Sequence, residues 1–483
     1  MSRISDKYDV VIVGAGIGGL VCGCYLVKNG LKVLIVEKNR NPGGYCASFK
    51  RGKYVFDAGI RGLVGGRDEG HLGKVLNELN VKEKLKIVRS PIFDIIHLPD
   101  YRIALRNDPL ETKNELQSFF PSEAKSIDSF FSLLSDPNFL NLYAKTISRT
   151  FKQLLDEYFK DYKLKTFWNI LRAETGLLPS DTAALAGLNI CRGFLLDGGY
   201  YPIGGMQALA DAFLSIFKEN GGDLLFSKAV KKIQVNRYNV TGVLIDKDIY
   251  VKTKCVVSDC DVSQTFLNLI DEQYVRQDFR SILNRMVPSL SVFVVFLGVG
   301  KSYKNTIEKC CSLWYFSHYL KEKEYDFINT FDLKSGYVIC VFPSFQDPAL
   351  APADGESIYL YVGAPFKDEK FWEDNHSAVV NTLIKQAENV IPSLKSNIIV
   401  KETASPTTFY KWTLNRSGSS RGWAPTLEQT KSSLVPVKTF INGLFLSSHW
   451  STSPVGHGGI AAVSYTGRKV AKMILAKKQM GGQ

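Results

Sequence analysis

Residues 9–37 read DVVIVGAGIGGLVCGCYLVKNGLKVLIVE, and this stretch leaves the chain little choice. Val10–Val13 is a short β-branched run, the pattern of a buried parallel strand. It passes into Gly14-Ala15-Gly16-Ile17-Gly18-Gly19, then into Leu20–Lys28, which reads as a helix stopped by Asn29-Gly30. Leu31–Val36 is a second strand, and Glu37 ends it. Gly14, Gly16 and Gly19 satisfy GxGxxG: a tight turn, close backbone approach to a pyrophosphate, and close helix–strand packing. The helix N-terminus offers free N–H groups and partial positive charge to the phosphates. Glu37 lies about twenty residues on, where an acid grips the ribose hydroxyls. A carboxylate there repels a 2′-phosphate and disfavours NADP. Ile17, Gly18 and Lys38 join Gly14, Gly16, Gly19 and Glu37 as candidate cofactor contacts. On spacing alone, a glycine-rich turn without a ligand is the competing reading.

Val10–Val27 carries no charge and is long enough to suggest a membrane span or a signal segment. Its glycines at 14, 16, 18, 19 and 23 fit the turn instead, and no other stretch approaches spanning length. With 483 residues, 45% apolar and 22% charged, the chain is expected to form several lobes around large cores. That excludes a disordered chain, a collagen-like chain and a small disulfide scaffold. Lys and Arg outnumber Asp and Glu by 60 to 47, which admits nucleic acid, an anionic membrane or an acidic ligand. No basic block stands alone as a tail, so nucleic acid is not expected as a partner. The 9 cysteines form no CxxC pair and no zinc spacing. Reduced thiols, no metal site and a cytoplasmic location are the expectation.

Further segments follow in a telling order. Asn41-Pro42-Gly43-Gly44-Tyr45-Cys46-Ala47-Ser48-Phe49 comes directly after Glu37, and Tyr54-Val55-Phe56-Asp57-Ala58-Gly59 soon after. Tyr201-Pro202-Ile203-Gly204-Gly205-Met206 enters a helix expected over Gln207–Glu219. A strand–turn–strand unit is expected at Lys228–Val235 and Val240–Ile245, then a strand at Val256–Asp261. Asn442–Trp450 precedes Pro454-Val455-Gly456-His457-Gly458-Gly459-Ile460-Ala461 and a helix reaching about Leu475. Together these resemble the phytoene desaturase-like superfamily of FAD-dependent oxidoreductases, in its carotenoid isomerase and retinol saturase branches. The FAD-dependent amine oxidases are related to it. The specific resemblance covers about residues 8–62, 198–268 and 436–478. Phe119-Phe120-Pro121-Ser122-Glu123 with Ile127–Leu134, and Ser420-Arg421-Gly422-Trp423 with Glu428-Gln429, are similar to segments of the same branches.

The resemblance implies FAD as cofactor. It implies Gly43 and Gly44 beside the flavin diphosphate and ribityl chain, with Tyr45 where the family usually has Arg. Ala58 and Gly59 fall in the same second flavin-binding stretch, and Val230 presents its backbone to the adenine. Ser448, His449, Gly458, Gly459 and Ile460 close over the flavin, whose pyrimidine end faces the last helix's N-terminus. Ser448-His449 stands where many relatives have Gly-Asp. Residues 60–440 contain no second GxGxxG, so electrons are expected from substrate or from an external electron donor or acceptor.

Apolar strands at 85–110 and 286–300, including Ser291–Leu297, read either as core or as the wall of an apolar tunnel. Residues 145–167 read as one basic amphipathic helix, with Ile147, Phe151, Leu154, Leu155, Tyr158 and Tyr162 at helical spacing. It lies on an anionic bilayer or is an ordinary helix with a solvated face; both readings stand. Arg61, four residues after Asp57, is the candidate catalytic residue. A cation there would stabilise anionic reduced flavin or charge on a polyene; a surface or phosphate-binding arginine is the alternative. His449 and Trp450 are further candidates for flavin contact, and Arg172 with Glu174 reads as a helix ion pair.

The expected fold is α/β: a discontinuous Rossmann-type FAD-binding domain (1–85, 201–270, 436–483) and a second, substrate domain of mixed β-sheet and helices (86–200, 271–435). The implied function is FAD-dependent oxidoreductase action on a long apolar polyene, by cis–trans isomerisation or saturation of carotenoid- or retinoid-like double bonds. A phytoene-type desaturase and an unsaturated fatty acid double-bond isomerase are alternatives, and an amine oxidase is the rival from another class. The implied partners are an apolar polyene or acyl-chain substrate and a peripheral membrane contact.

Overall fold

The structure is a computed structural model, and it describes residues 5–171, 175–332, 336–431, 435–451 and 459–480. Five strands form one parallel sheet in the order Leu444–Leu446, Val256–Ser258, Val10–Val13, Val33–Val36, Asp223–Leu225. Strand residues alternate between faces, and here the alternation divides the apolar runs between two cores. Val10, Ile12, Val33, Ile35, Val257 and Phe445 join the helices Ile17–Lys28, Met206–Glu219 and Ile460–Met480. Val11, Val13, Leu34, Val36, Val256 and Leu444 join an antiparallel sheet of Val230–Asn236, Asn239–Ile245 and Ile249–Lys252. Burial on both faces is why these strands are β-branched rather than alternating. Each fully buried side chain such as Ile12 contributes about 1.5–3 kcal/mol.

A second, seven-stranded sheet has the order Ile398–Ala404, Ser291–Val299, Glu356–Ala364, Tyr337–Val341, Cys310–Phe316, Ile92–His97, Arg102–Arg106. It is mixed: Cys310–Phe316 runs parallel to Ile92–His97 and antiparallel to Tyr337–Val341. The helix Glu369–Ala387 covers one face, where Trp372 stacks on Phe293 at 5.3 Å. The helices Ala124–Ser135, Phe139–Thr146, Phe151–Tyr158 and Tyr162–Leu171 pack around the buried helix Ala184–Asp197. The α/β class and the mixed second sheet therefore stand as expected.

One expectation fails. Residues 145–167 are not one helix. Phe139–Thr146 ends before Thr150, which caps Phe151–Tyr158 through a reciprocal Thr150–Gln153 capping box; Phe159 is then extended. Phe151, Leu154 and Leu155 are buried in the core, so this face is not free to meet a bilayer. Four of the basic side chains are paired: Lys152 and Lys165 each reach Asp156 at 2.7 Å, Arg149 meets Glu157, and Lys163 meets Asp100. No helix among the described residues is long and apolar enough to cross a membrane. All 9 cysteines are free thiols, buried or half-buried. Arg172, Glu174 and Gly458 lie outside the described residues.

Candidate active-site cavity

One cavity of about 1780 Å³ runs from the carboxyl ends of the parallel strands to the seven-stranded sheet and on to the helix Phe139–Thr146. Its polar end is the glycine turn. Gly14 has φ +100°, a backbone state that favours glycine, and its N–H donates to Val36 O at 2.8 Å. Gly43, at φ +114°, donates to Ala15 O at 2.8 Å, which sets the second glycine turn against the first. A Cβ on Gly44 would meet only Gly16 Cα, at 3.6 Å, and one on Gly459 would meet nothing within 4 Å. The backbone there is open to a ligand. Gly18 and Gly19 serve packing: a Cβ on Gly18 would strike Ser447 O at 1.8 Å, and one on Gly19 would strike Gly14 O at 2.5 Å. Gly19 does not line the cavity, whereas Gly14, Gly16, Ile17 and Gly18 do.

Glu37 is held at the cavity wall by two backbone donors, Ala15 N–H on Oε2 and Asn39 N–H on Oε1, both at 2.8 Å. Each carboxylate oxygen keeps a further lone pair for a ribose hydroxyl. Lys38 beside it is half-buried, its ammonium held below the usual lysine range by burial, with the Glu37 carboxylate opposing. Val230 lines the same end, at the start of its strand. The open glycine backbone and the Glu37 carboxylate fit an adenosine diphosphate group such as that of FAD.

Further along, Tyr45 ties the second glycine turn to the other lobe: its hydroxyl donates to Ser419 O at 2.7 Å. Burial pushes this phenol up to about 12, so it stays protonated as a donor. Its ring lies 5.9 Å from both His449 and Phe409. Burial, and then the nearby Arg421, push His449 down to about 3, so this ring is neutral at physiological pH. Ser448 lines the cavity, but its hydroxyl donates to Cys260 O at 2.9 Å. Trp450 stands behind the cavity and donates to Asn415 Oδ1 at 2.9 Å. Ala58, Gly59, Gly459 and Ile460 all line the cavity.

The far wall is apolar. Val292, Val294 and Phe296 are alternate residues of one strand; Trp314, Phe316, Ile339, Tyr359 and Tyr361 continue the same sheet face. Both readings of these strands thus hold at once, one face core and the other cavity wall. Arg61 lies on this wall. It is buried, paired with Asp94, and donates to Ser312 Oγ at 3.2 Å. Its guanidinium is ringed by Phe93, Phe194 and Trp314 at 4.5, 4.7 and 5.1 Å. Asp94 and Ser312 face each other across the parallel strand pair, and Trp314 Nε1 donates to Ser312 Oγ at 3.0 Å. The sequence pattern marks Arg61 but not Asp94, Ser312 or Asp259. Asp259 had one available signal: it follows the strand beside Val10–Val13, at the carboxyl end where such sheets bind ligands.

Fold and cavity together join a Rossmann-like parallel sheet to a mixed seven-stranded sheet around one continuous cavity. Residues 12–79 match the family model of the NAD(P)-binding Rossmann-like domain. Over 98% of its length the chain is 24% identical to prolycopene isomerase 2, chloroplastic, of an Oncidium hybrid cultivar, covering 84% of that protein. It is 24% identical to the all-trans-retinol 13,14-reductase of Danio rerio over 61% of this chain and 54% of that one. An oxidoreductase of solved structure from Methanosarcina mazei superposes with a TM-score of 0.69 at 15% identity, covering 96% of this chain and 100% of that one. The resemblance read from the motifs therefore extends along the whole chain.

Proposed function

We propose that this protein is an FAD-dependent oxidoreductase that isomerises or saturates double bonds of a long apolar polyene. The observation that carries this reading is the continuity of the cavity, from the Glu37 and glycine cradle to an apolar, aromatic sheet face. The likeness to a prolycopene isomerase and a retinol reductase supports it. Bound FAD would supply reversible two-electron chemistry at its ring. Gly14, Gly16, Gly43 and Gly44 would admit its diphosphate, Glu37 its ribose, and Val230 its adenine. Ile17, Gly18, Lys38, Tyr45, Ala58, Gly59, Ser448, His449, Gly459 and Ile460 complete the proposed lining. Val292, Val294, Phe296 and Tyr361 would exclude water from a chain held flat against the sheet. Arg61 would act as a fixed cation, held by Asp94 and its aromatic ring of neighbours, opposite developing negative charge.

The substrate would enter past Phe139–Thr146. Phe139 and Leu140 are 54% and 74% exposed, and Phe139, Leu142 and Tyr143 line the cavity. This short helix, in place of residues 145–167, is the proposed contact with a bilayer, and an external electron donor or acceptor completes the cycle. Purified protein loaded with FAD is incubated with a cis-polyene and with an unsaturated fatty acid, oxidised and then reduced, and the products are weighed. A product of unchanged mass formed only with reduced flavin is expected of an isomerase, and a gain of two hydrogens of a saturase. Loss of two hydrogens would move the assignment to a desaturase. Conversion of the fatty acid alone, or peroxide release on amines alone, would overturn the polyene reading.

A further inference from the structure

The cradle proposed for the FAD diphosphate already holds an acid. Asp259 follows the strand Val256–Ser258, and its carboxyl lies across the glycine turn. A Cβ built on Gly16 would come within 2.5 Å of Oδ2, one on Gly18 within 2.8 Å of Oδ1, and one on Gly19 within 3.0 Å of Oδ2. Oδ2 is enclosed and makes no well-formed hydrogen bond among the described residues, although the Gly16 and Gly19 amides lie beside the carboxyl. Gly16, the first helix's N-cap, brings no side-chain cap of its own. The carboxyl thus fronts the same helix N-terminus that the turn offers to phosphate.

The groups around it make ionisation costly. Burial raises the carboxyl well above the usual aspartate range, and the Glu37 carboxylate adds repulsion; the Gly19 and Gly16 backbone amides oppose this. Cys22, on the first helix, and adjacent Cys260 are thiols kept neutral by burial. Asp261 turns away, accepting from Arg416 N–H and Ser263 N–H at 2.6 Å each. A diphosphate entering this cradle would add two more negative charges beside Asp259, and like charges at one site drive a carboxylate to its neutral form.

We propose that Asp259 must carry a proton for the FAD diphosphate to dock, so that FAD binding weakens, and takes up a proton from solvent, once pH is high enough to ionise Asp259 in the free protein. This rests on the FAD reading above. The full-length apoprotein is titrated with FAD from about pH 6 to pH 9, with binding read by flavin fluorescence. The wild-type Kd is expected to rise by up to roughly tenfold per pH unit once Asp259 ionises in the free protein. Asp259→Asn is expected to hold its low-pH affinity across the range. Calorimetry in two buffers of different ionisation enthalpy, run at a pH where the wild-type Kd is rising, should show proton uptake by the wild type and none by the variant. A flat wild-type profile, or the same slope in Asp259→Asn, overturns the proposal. If Asp259→Asn melts early, Asp259→Ser takes its place with the same expectation. A wild type that binds no FAD at any pH overturns the FAD reading instead.

Discussion

Arg61 and Asp94 show what a buried charge costs and what it fixes. Both are buried, and removal of one partner leaves the other uncompensated. Arg61→Met should therefore lose about 3–5 kcal/mol of stability. Arg61→Met with Asp94→Asn should recover much of that loss, because no bare charge remains. Urea unfolding of the single and double variants checks this, and equal losses in both would place the effect in packing. His449 sets a pH dependence. In the unfolded chain it takes up a proton near pH 6.5; in the fold it is held down at about 3, so the folded state binds fewer protons between these values. Its contribution is whole above about pH 6.5 and is lost as pH falls. Thermal melts from pH 7.5 to 5 should fall more steeply for the wild type than for His449→Gln. Glu37 was legible at this scale because a short βαβ unit fixes where an acid must stand. Asp94 was not, since Ser312, which donates to it, lies on a strand more than two hundred residues away and only the folded sheet brings them together.

The elements divide into those that local rules specify and those that packing overrides. The strand Val10–Val13, the helix Ile17–Lys28 and the strand Val33–Val36 follow their sequence pattern closely, because glycine spacing leaves one geometry. Residues 145–167 do not, although their apolar positions keep helical spacing. The missed signal was Thr150-x-x-Gln153, which opens a new helix in the middle of the run. The consequence is measurable. Phe139→Glu with Leu140→Glu should abolish cosedimentation with anionic liposomes, since both side chains are exposed on the helix that lines the cavity. Reversing Lys152, Lys160 and Lys163 should change it little, because Lys152 and Lys163 are already neutralised by Asp156 and Asp100. The opposite pattern would return the membrane face to residues 151–167.

At the scale of the whole molecule, the cavity belongs to neither lobe alone. Its polar end comes from local turns and could be read in advance. Its apolar wall comes from alternate residues of strands whose order in the sheet scrambles the chain. Tyr45 joins the two, replacing an expected charge with a hydroxyl that reaches Ser419 O. Tyr45→Phe should cost about 1 kcal/mol and speed flavin release measured by dilution, and an unchanged release rate would confine Tyr45 to packing. The strand Leu444–Leu446 is the outermost of the parallel sheet, and Ser447 O closes directly on Gly18 of the opening turn. Although the cradle is announced in the first forty residues, its last wall leaves the ribosome only after residue 447. The opening turn alone is thus an incomplete cradle, and the proposed cofactor would find its site whole only after the strand Leu444–Leu446 has docked at the edge of the sheet.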